Sequence, residues 1–207
     1  MKIASLFVTR RTASALLASL AFSATLAMAS DVAPTQVKFV TSEGDFVVEL
    51  YPETAPKTVH NFLQYVSEKY YDGTIFHRVI NNFMVQGGGY TTTYAEKKAH
   101  SPVVHEGREA IAKGGQKNVV GTLAMARTND PNSASSQFFI NVNDNASLNP
   151  TAQAPGYTVF GKVISGMDVI DKIKVTPTGS GGPFPTDVPK KQIVIKSATL
   201  VKAELPR

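Results

Sequence analysis

The chain is cut by glycine and proline into short runs rich in Val, Ile, Phe and Thr, and this punctuation leaves few folds open to it. Residues 36–42 (QVKFVTS) and 45–51 (DFVVELY) are two such runs, and Glu43-Gly44 between them reads as a hairpin turn. Residues 75–80 (IFHRVI) and their partner up to Gly87-Gly88-Gly89 form a second pair. Residues 119–126 (VVGTLAMA), 137–142 (QFFINV), 157–164 (YTVFGKVI) and 191–202 (KQIVIKSATLVK) complete the set of predicted strands.

Only two segments carry helical spacing. Pro56 suits a first helical turn, and Val59, Phe62, Leu63 and Val66 follow at i, i+3, i+4 and i+7, which predicts a helix over 56–69. Residues 166–173 (GMDVIDKI) place Met167, Ile170 and Ile173 on one side of a shorter one. Many strands with two helices and no internal repeat predict a mainly β chain, an antiparallel barrel or sandwich capped by the helices. Residues 90–118 are the longest irregular stretch, with a short helical turn expected over 106–113; loops of this length in compact domains usually serve function or move. Residues 144–156 read as loop, and 176–189, with four prolines and Gly179, Gly181 and Gly182, also read as loop.

Residues 1–29 stand apart. Lys2, Arg10 and Arg11 make a basic start, an uncharged run of apolar and small residues follows over 13–26, and Ala27-Met28-Ala29 supplies a small-residue cleavage signature. The expectation is a secretory signal peptide over 1–29, followed by a single domain over 30–207. The run is too short and too rich in Ala and Ser to span a bilayer, so no stable membrane association is expected once it is removed. Without Lys2, Arg10 and Arg11, the 21 basic residues fall to 18 against 16 acidic, and no basic run with interleaved aromatics appears. Nucleic acid is therefore not an expected partner. With no cysteine, the chain has neither a disulfide nor a thiol nucleophile, and its stability must come from packing.

The stretch FHRVINNFMVQGG, 76–88, holds the chemistry. Strand alternation there sets Ile75, His77 and Val79 on one face and Phe76, Arg78 and Ile80 on the other. A guanidinium among apolar side chains is costly to desolvate, so it calls for a partner, for which Gln86 is at hand, or for water reached along its own stem. Phe83, Met84 and Phe139 are candidates for a shaped apolar pocket, with ordinary core packing as the alternative for each.

The pieces FHRVI, FMVQGG, GTLAMAR, SQFFINV and YTVFGKVISGMDVID, in this order, resemble a cyclophilin-type peptidyl-prolyl cis-trans isomerase, most of all the exported bacterial members. The similarity runs from about Gln36 to Val201. It implies a closed antiparallel eight-stranded β-barrel capped by two helices, no cofactor and no metal. Arg78 would be the catalytic arginine with Gln86 beside it, and Phe83, Met84, Phe139 and Leu148 would hold the proline ring. Gln137 and the backbone at Ala126 and Arg127 would hold the preceding residue. Tyr157 stands where many members carry histidine and is expected to keep that wall, with a hydroxyl able to hydrogen-bond. Ser147 replaces a tryptophan common in eukaryotic members, which implies weak or no cyclosporin binding. Arg127 replaces a common asparagine at what resembles a backbone contact. The implied partners are unfolded or partly folded exported proteins with X-Pro bonds, met by a monomer in the periplasm.

Two other readings fit fewer residues. A binding module would use the same pocket to hold proline-containing loops without accelerating rotation. A hydrolase or metalloprotein would have to use His60, His77, His100 and His105, but His60 falls on the first helix and His77 on the strand face opposite Arg78. His100 and His105 lie in the long loop with no accompanying carboxylate pattern.

Overall fold

A computed structural model describes residues 35–201, so the expected signal peptide over 1–29 lies outside the described residues. The first two strands, β1 (Gln36–Thr41) and β2 (Asp45–Leu50), pair in the expected hairpin. The next two, β3 (Arg78–Ile80) and β4 (Met84–Gly87), do likewise. With β5 (Thr122–Met125), β6 (Phe138–Asn141), β7 (Val159–Ser165) and β10 (Ile195–Leu200) they make one eight-stranded antiparallel sheet in the order β10-β1-β2-β7-β5-β6-β4-β3.

The sheet curls on itself. Phe39 of β1 and Phe138 of β6 stand four places apart in that order, yet their ring centroids are 5.6 Å apart. The two end strands, β10 and β3, do not pair with each other. Between the segments that precede them there is an isolated bridge, Ile75 to Val194, with the Phe76 N–H donating to the Ile193 carbonyl at 2.9 Å. The expected closed barrel is thus corrected to a curled sheet whose ends meet through that bridge, because β3 is only three residues long and starts beyond it, at Arg78.

Among the described residues three helices, not two, accompany the sheet. The first, α1 (Pro56–Ser67), buries Val59, Phe62, Tyr65 and Val66, with the Phe62 ring 5.0 Å from Phe160 and 5.8 Å from Phe138. The third, α3 (Met167–Lys174), buries Val169, Ile170 and Ile173. Between them in sequence, α2 (Gly107–Ala112) is the short helical turn expected within the long loop, six residues lying inside the expected 106–113.

Its neighbour Glu106 explains how α1 starts. Ala55 at the N-cap has no side chain to offer, and the buried Glu106 carboxylate takes over, accepting from the Lys57 N–H (3.1 Å), the Thr58 N–H (2.7 Å) and the Thr58 hydroxyl (2.7 Å). A carboxylate at a helix N-terminus satisfies orphan donors and complements the helix dipole.

Residues 176–189, expected as loop, instead form a second, two-stranded sheet, β8 (Thr178–Gly181) and β9 (Phe184–Pro189). Proline is tolerated because β9 has a single ladder partner, so the N–H groups missing at Pro185 and Pro189 need cost no pairing on the other side. Phe184 of this hairpin packs edge-on to Tyr90, with centroids 5.0 Å apart, and 5.3 Å from the His77 ring.

Candidate functional site

The packing separates two apolar groups. The larger, around Phe39, Phe62, Phe138 and Phe160, is the core. The smaller comprises Met84, Ala124, Phe139 and Val159, with Ile80, Phe83, Ala126, Leu148 and Tyr157 partly buried against it. Alternation along β6 divides the two, sending Phe138 and Ile140 to the core and Phe139 to the second group. On this second group lies a recess of about 170 Å³ lined by Arg78, Phe83, Met84, Gln86, Ala126, Arg127, Phe139, Leu148 and Tyr157.

Nine of the ten site residues read from the sequence therefore meet around one concavity. The tenth, Gln137, touches it through Gln86, whose Nε2 donates to Gln137 Oε1 at 3.0 Å, and lines an adjoining cavity with Glu96, Thr128, Ser133 and Ser135.

Register places Arg78 directly opposite Gln86 on the β3–β4 ladder, so their side chains share one face. Arg78 Nη1 donates to Gln86 Oε1 at 3.4 Å, and its Nε lies 4.0 Å from Asp187 Oδ2 on β9. The side chain is 44% exposed, so the guanidinium stands at the rim, where an incoming molecule reaches it. The face assignment needs one correction. Phe76 does not share Arg78's side, because the regular strand begins only at Arg78 and Phe76 turns into the main core with Val79. Arg78's apolar company is Ile80 and the recess wall across the ladder.

Next to Arg78 in the chain, His77 is buried, between Tyr90 (4.7 Å between centroids) and Phe184, and its Nδ1 has no hydrogen-bond partner. Burial lowers its pKa to about 4, the neighbouring Arg78 charge adds to the shift, and the Ile75 backbone opposes it.

The far wall is built from Phe139, Tyr157 and Arg127. Tyr157 sits edge-on to Phe139 at 5.5 Å, and the Arg127 guanidinium lies over the Tyr157 ring at 4.5 Å. Arg127 is itself held, donating through Nε and Nη2 to the Gly156 carbonyl (3.1 and 2.8 Å) and through Nη1 to the Thr128 carbonyl (2.8 Å). Its charge thus braces an aromatic wall.

Sequence reasoning missed Asp187, hidden in a segment read as loop, and the buried Asn141 on β6. The signal for Asn141 was available: in FFIN it occupies the same alternate face as Phe139, a polar residue where an apolar one is expected. Among the described residues no group of three or more His, Asp or Glu side chains converges as a metal site.

Comparison with known proteins follows the same outline. The profile of the family described as cyclophilin type peptidyl-prolyl cis-trans isomerase/CLD matches residues 36–200. A peptidyl-prolyl cis-trans isomerase of Streptomyces antibioticus is 51% identical over 168 residues, which is 80% of this chain and 98% of that protein. Peptidyl-prolyl cis-trans isomerase B of Escherichia coli is 49% identical over 167 residues, 79% and 98% of the two chains. Among solved structures, a cyclophilin type peptidyl-prolyl cis-trans isomerase of Cryptosporidium parvum, crystallised in the presence of the dipeptide Ala-Pro, superposes with a TM-score of 0.67 at 29% identity, covering 81% of this chain and 99% of that one.

Proposed function

Because this chain belongs to the cyclophilin-type peptidyl-prolyl cis-trans isomerase family, we propose that it accelerates rotation about X-Pro bonds by hydrogen bonding from Arg78 to the prolyl nitrogen. The observation that carries this reading is a guanidinium at the rim of a small apolar recess, paired with one glutamine and open to an incoming peptide.

An amide resists rotation by about 18 to 20 kcal/mol because the nitrogen lone pair is delocalised into the carbonyl. Uncatalysed prolyl isomerisation therefore takes about 10 to 100 s, and reaching milliseconds requires about 10⁴-fold, or about 5 to 6 kcal/mol off the barrier. In the twisted transition state the lone pair returns to nitrogen, which then accepts a hydrogen bond that the planar amide cannot. A donor aimed there favours the twist over the ground state. Arg78 supplies that donor, with Gln86 orienting its fork. Phe83, Met84, Phe139 and Leu148 grip the ring, Tyr157 closes the wall, and Gln137 with the Ala126–Arg127 backbone holds the preceding residue, so that the carbonyl turns against a fixed proline. No bond is made or broken, and the reaction asks for no nucleophile.

The substrates in this reading are unfolded or partly folded exported proteins with exposed X-Pro bonds. The leader-like residues 1–29 support export to the periplasm, with 30–207 acting as one monomeric catalytic domain. Ser147 beside Leu148 removes the indole that a cyclosporin ring would use, so that ligand binds weakly or not at all. The test is two-dimensional NMR exchange on a short Xaa-Pro peptide with the purified chain. Cis-trans cross-peaks at catalytic enzyme concentrations support the reading; binding-induced shifts without exchange would replace it with a holding role.

A further inference from the structure

We propose that Asn141 is a positioning residue for prolyl-bond rotation, fixing the recess walls Phe83 and Leu148 relative to one another through Asn145 and Asn118. The inference deepens the isomerase reading and rests on it.

Asn141 is fully buried at the end of β6, opposite Met84 in register and therefore on the recess side of the sheet. Its Nδ2 donates to Thr122 Oγ1 (3.0 Å) and to Asn118 Oδ1 (3.2 Å), and its Oδ1 accepts from Asn145 Nδ2 (2.6 Å). The same Asn145 amide donates to the Phe83 carbonyl at 2.8 Å. On the other branch, Asn118 Nδ2 donates to the Leu148 carbonyl at 3.1 Å, which also receives the Tyr157 N–H at 2.9 Å. One buried amide is thus the node of a chain whose two ends are backbone atoms of recess residues.

Three buried asparagines behind an apolar pocket are a costly way to fill space, and an apolar filling would need no such satisfaction. What hydrogen bonds add is direction. Phe83 lies on the turn between β3 and β4, after Asn82 in the left-handed region, and Leu148 on the 3₁₀ turn Ala146–Leu148. Neither wall residue belongs to a strand: just past β6 the Phe83 carbonyl accepts one further backbone N–H, from Val142 at 3.1 Å, and the Leu148 carbonyl accepts that of Tyr157, itself in a loop. The asparagine chain ties both turns to β5 and β6. A pocket that must grip one ring while the adjoining carbonyl swings depends on that spacing being held in advance.

The experiment measures kcat and KM for an Xaa-Pro peptide by NMR exchange, and its Kd by chemical-shift titration, in Asn141→Leu and Asn145→Ala. Val163→Ala, a core change outside the recess lining, reports what general destabilisation does. The expected result is a KM and Kd about tenfold higher in both asparagine variants with kcat changed less than about threefold, while Val163→Ala keeps parental KM and Kd. Parental constants in folded Asn141→Leu and Asn145→Ala would overturn the proposal, as would an equal rise in Val163→Ala. If Asn141→Leu does not fold, Asn145→Ala decides, since it lies in a loop and removes the bonds to the Phe83 carbonyl and to Asn141 Oδ1 while leaving the Asn118 branch in place. A wild-type chain that shows no exchange would overturn the isomerase reading instead, and the Kd values would still judge the network.

Discussion

Arg78 and Gln86 face each other across the β3–β4 ladder, and the glutamine passes the contact on: Gln86 Oε1 accepts from Arg78 Nη1 while Gln86 Nε2 donates to Gln137. This relay joins the cation at the recess rim to the residue lining the adjoining cavity. The amide has both of its ends engaged, so it is pinned without any bond to bulk core. Among the described residues Arg78 Nη2 has no hydrogen-bond partner and Nε has only Asp187 at 4.0 Å, so part of the guanidinium fork remains available to an incoming molecule.

Arg78→Ala should lower kcat/KM by about 10² to 10³, the effect of removing one preorganised donor to transition-state charge. Because the side chain is half-exposed, the folding transition should move little. Arg78→Lys keeps the charge but loses the planar fork and should recover only a small part of the rate. Exchange kinetics beside a thermal melt checks both, and an Arg78→Ala variant with parental turnover would remove the mechanism.

Gly89→Ala separates geometry from stability. A Cβ there would fall 2.5 Å from Gln137 Cγ and 2.6 Å from its Cδ, so the Gln137 side chain must move, and with it the bond to Gln86. The atoms in the way belong to a flexible side chain, so the melt should be nearly unchanged. Losing about 1 kcal/mol of positioning should reduce kcat/KM about fivefold, measured on the same peptide.

How far the sequence reaches is visible in particular residues. The eight strands of the main sheet and the α1 and α3 stripes are carried by local pattern, in which alternation and spacing of side chains decide the face; of the recess lining, Arg78, Gln86, Phe83, Met84 and Phe139 stand out from the residues, and Ala126, Arg127, Leu148 and Tyr157 come from the family resemblance. The pattern fails where partners lie far along the chain. Nothing near Ala55 announces that Glu106 caps α1, a contact spanning 49 residues. Nothing in 176–189 says that a segment with so many prolines folds back on itself as a hairpin. The Phe76 assignment failed differently: alternation was extrapolated ahead of the regular strand, where the chain instead bridges to Ile193 and Val194.

Glu106→Gln keeps the volume but replaces a charged, three-donor acceptor with an amide, and should destabilise by about 1 to 2 kcal/mol. Glu106→Ala leaves the Lys57 and Thr58 groups without a partner in a buried site, and should cost about 3 kcal/mol, a fall in Tm of about 6 to 12 °C. Urea unfolding of the parent and the two variants tests this order. Equal midpoints for the parent and Glu106→Ala would show that water serves the α1 N-terminus as well as the carboxylate does.

His77 makes stability fall on acidification. Its folded pKa of about 4 lies below the ordinary value of 6.5, so between those pH values the unfolded chain holds a proton that the folded chain does not. The contribution is fully present above about pH 6.5, is lost progressively as pH falls toward 4, and levels off below that, where folded His77 also takes the proton. The shift corresponds to about 3 kcal/mol across the window. A charged imidazole there would sit between the Tyr90 and Phe184 rings beside the Arg78 backbone, and the hairpin carrying Phe184 is the element that would yield. Urea midpoints at about pH 7, 6, 5 and 4 should drop more steeply for the parent than for His77→Phe, which cannot titrate. Parallel curves for the two proteins would place the acid sensitivity elsewhere in the fold.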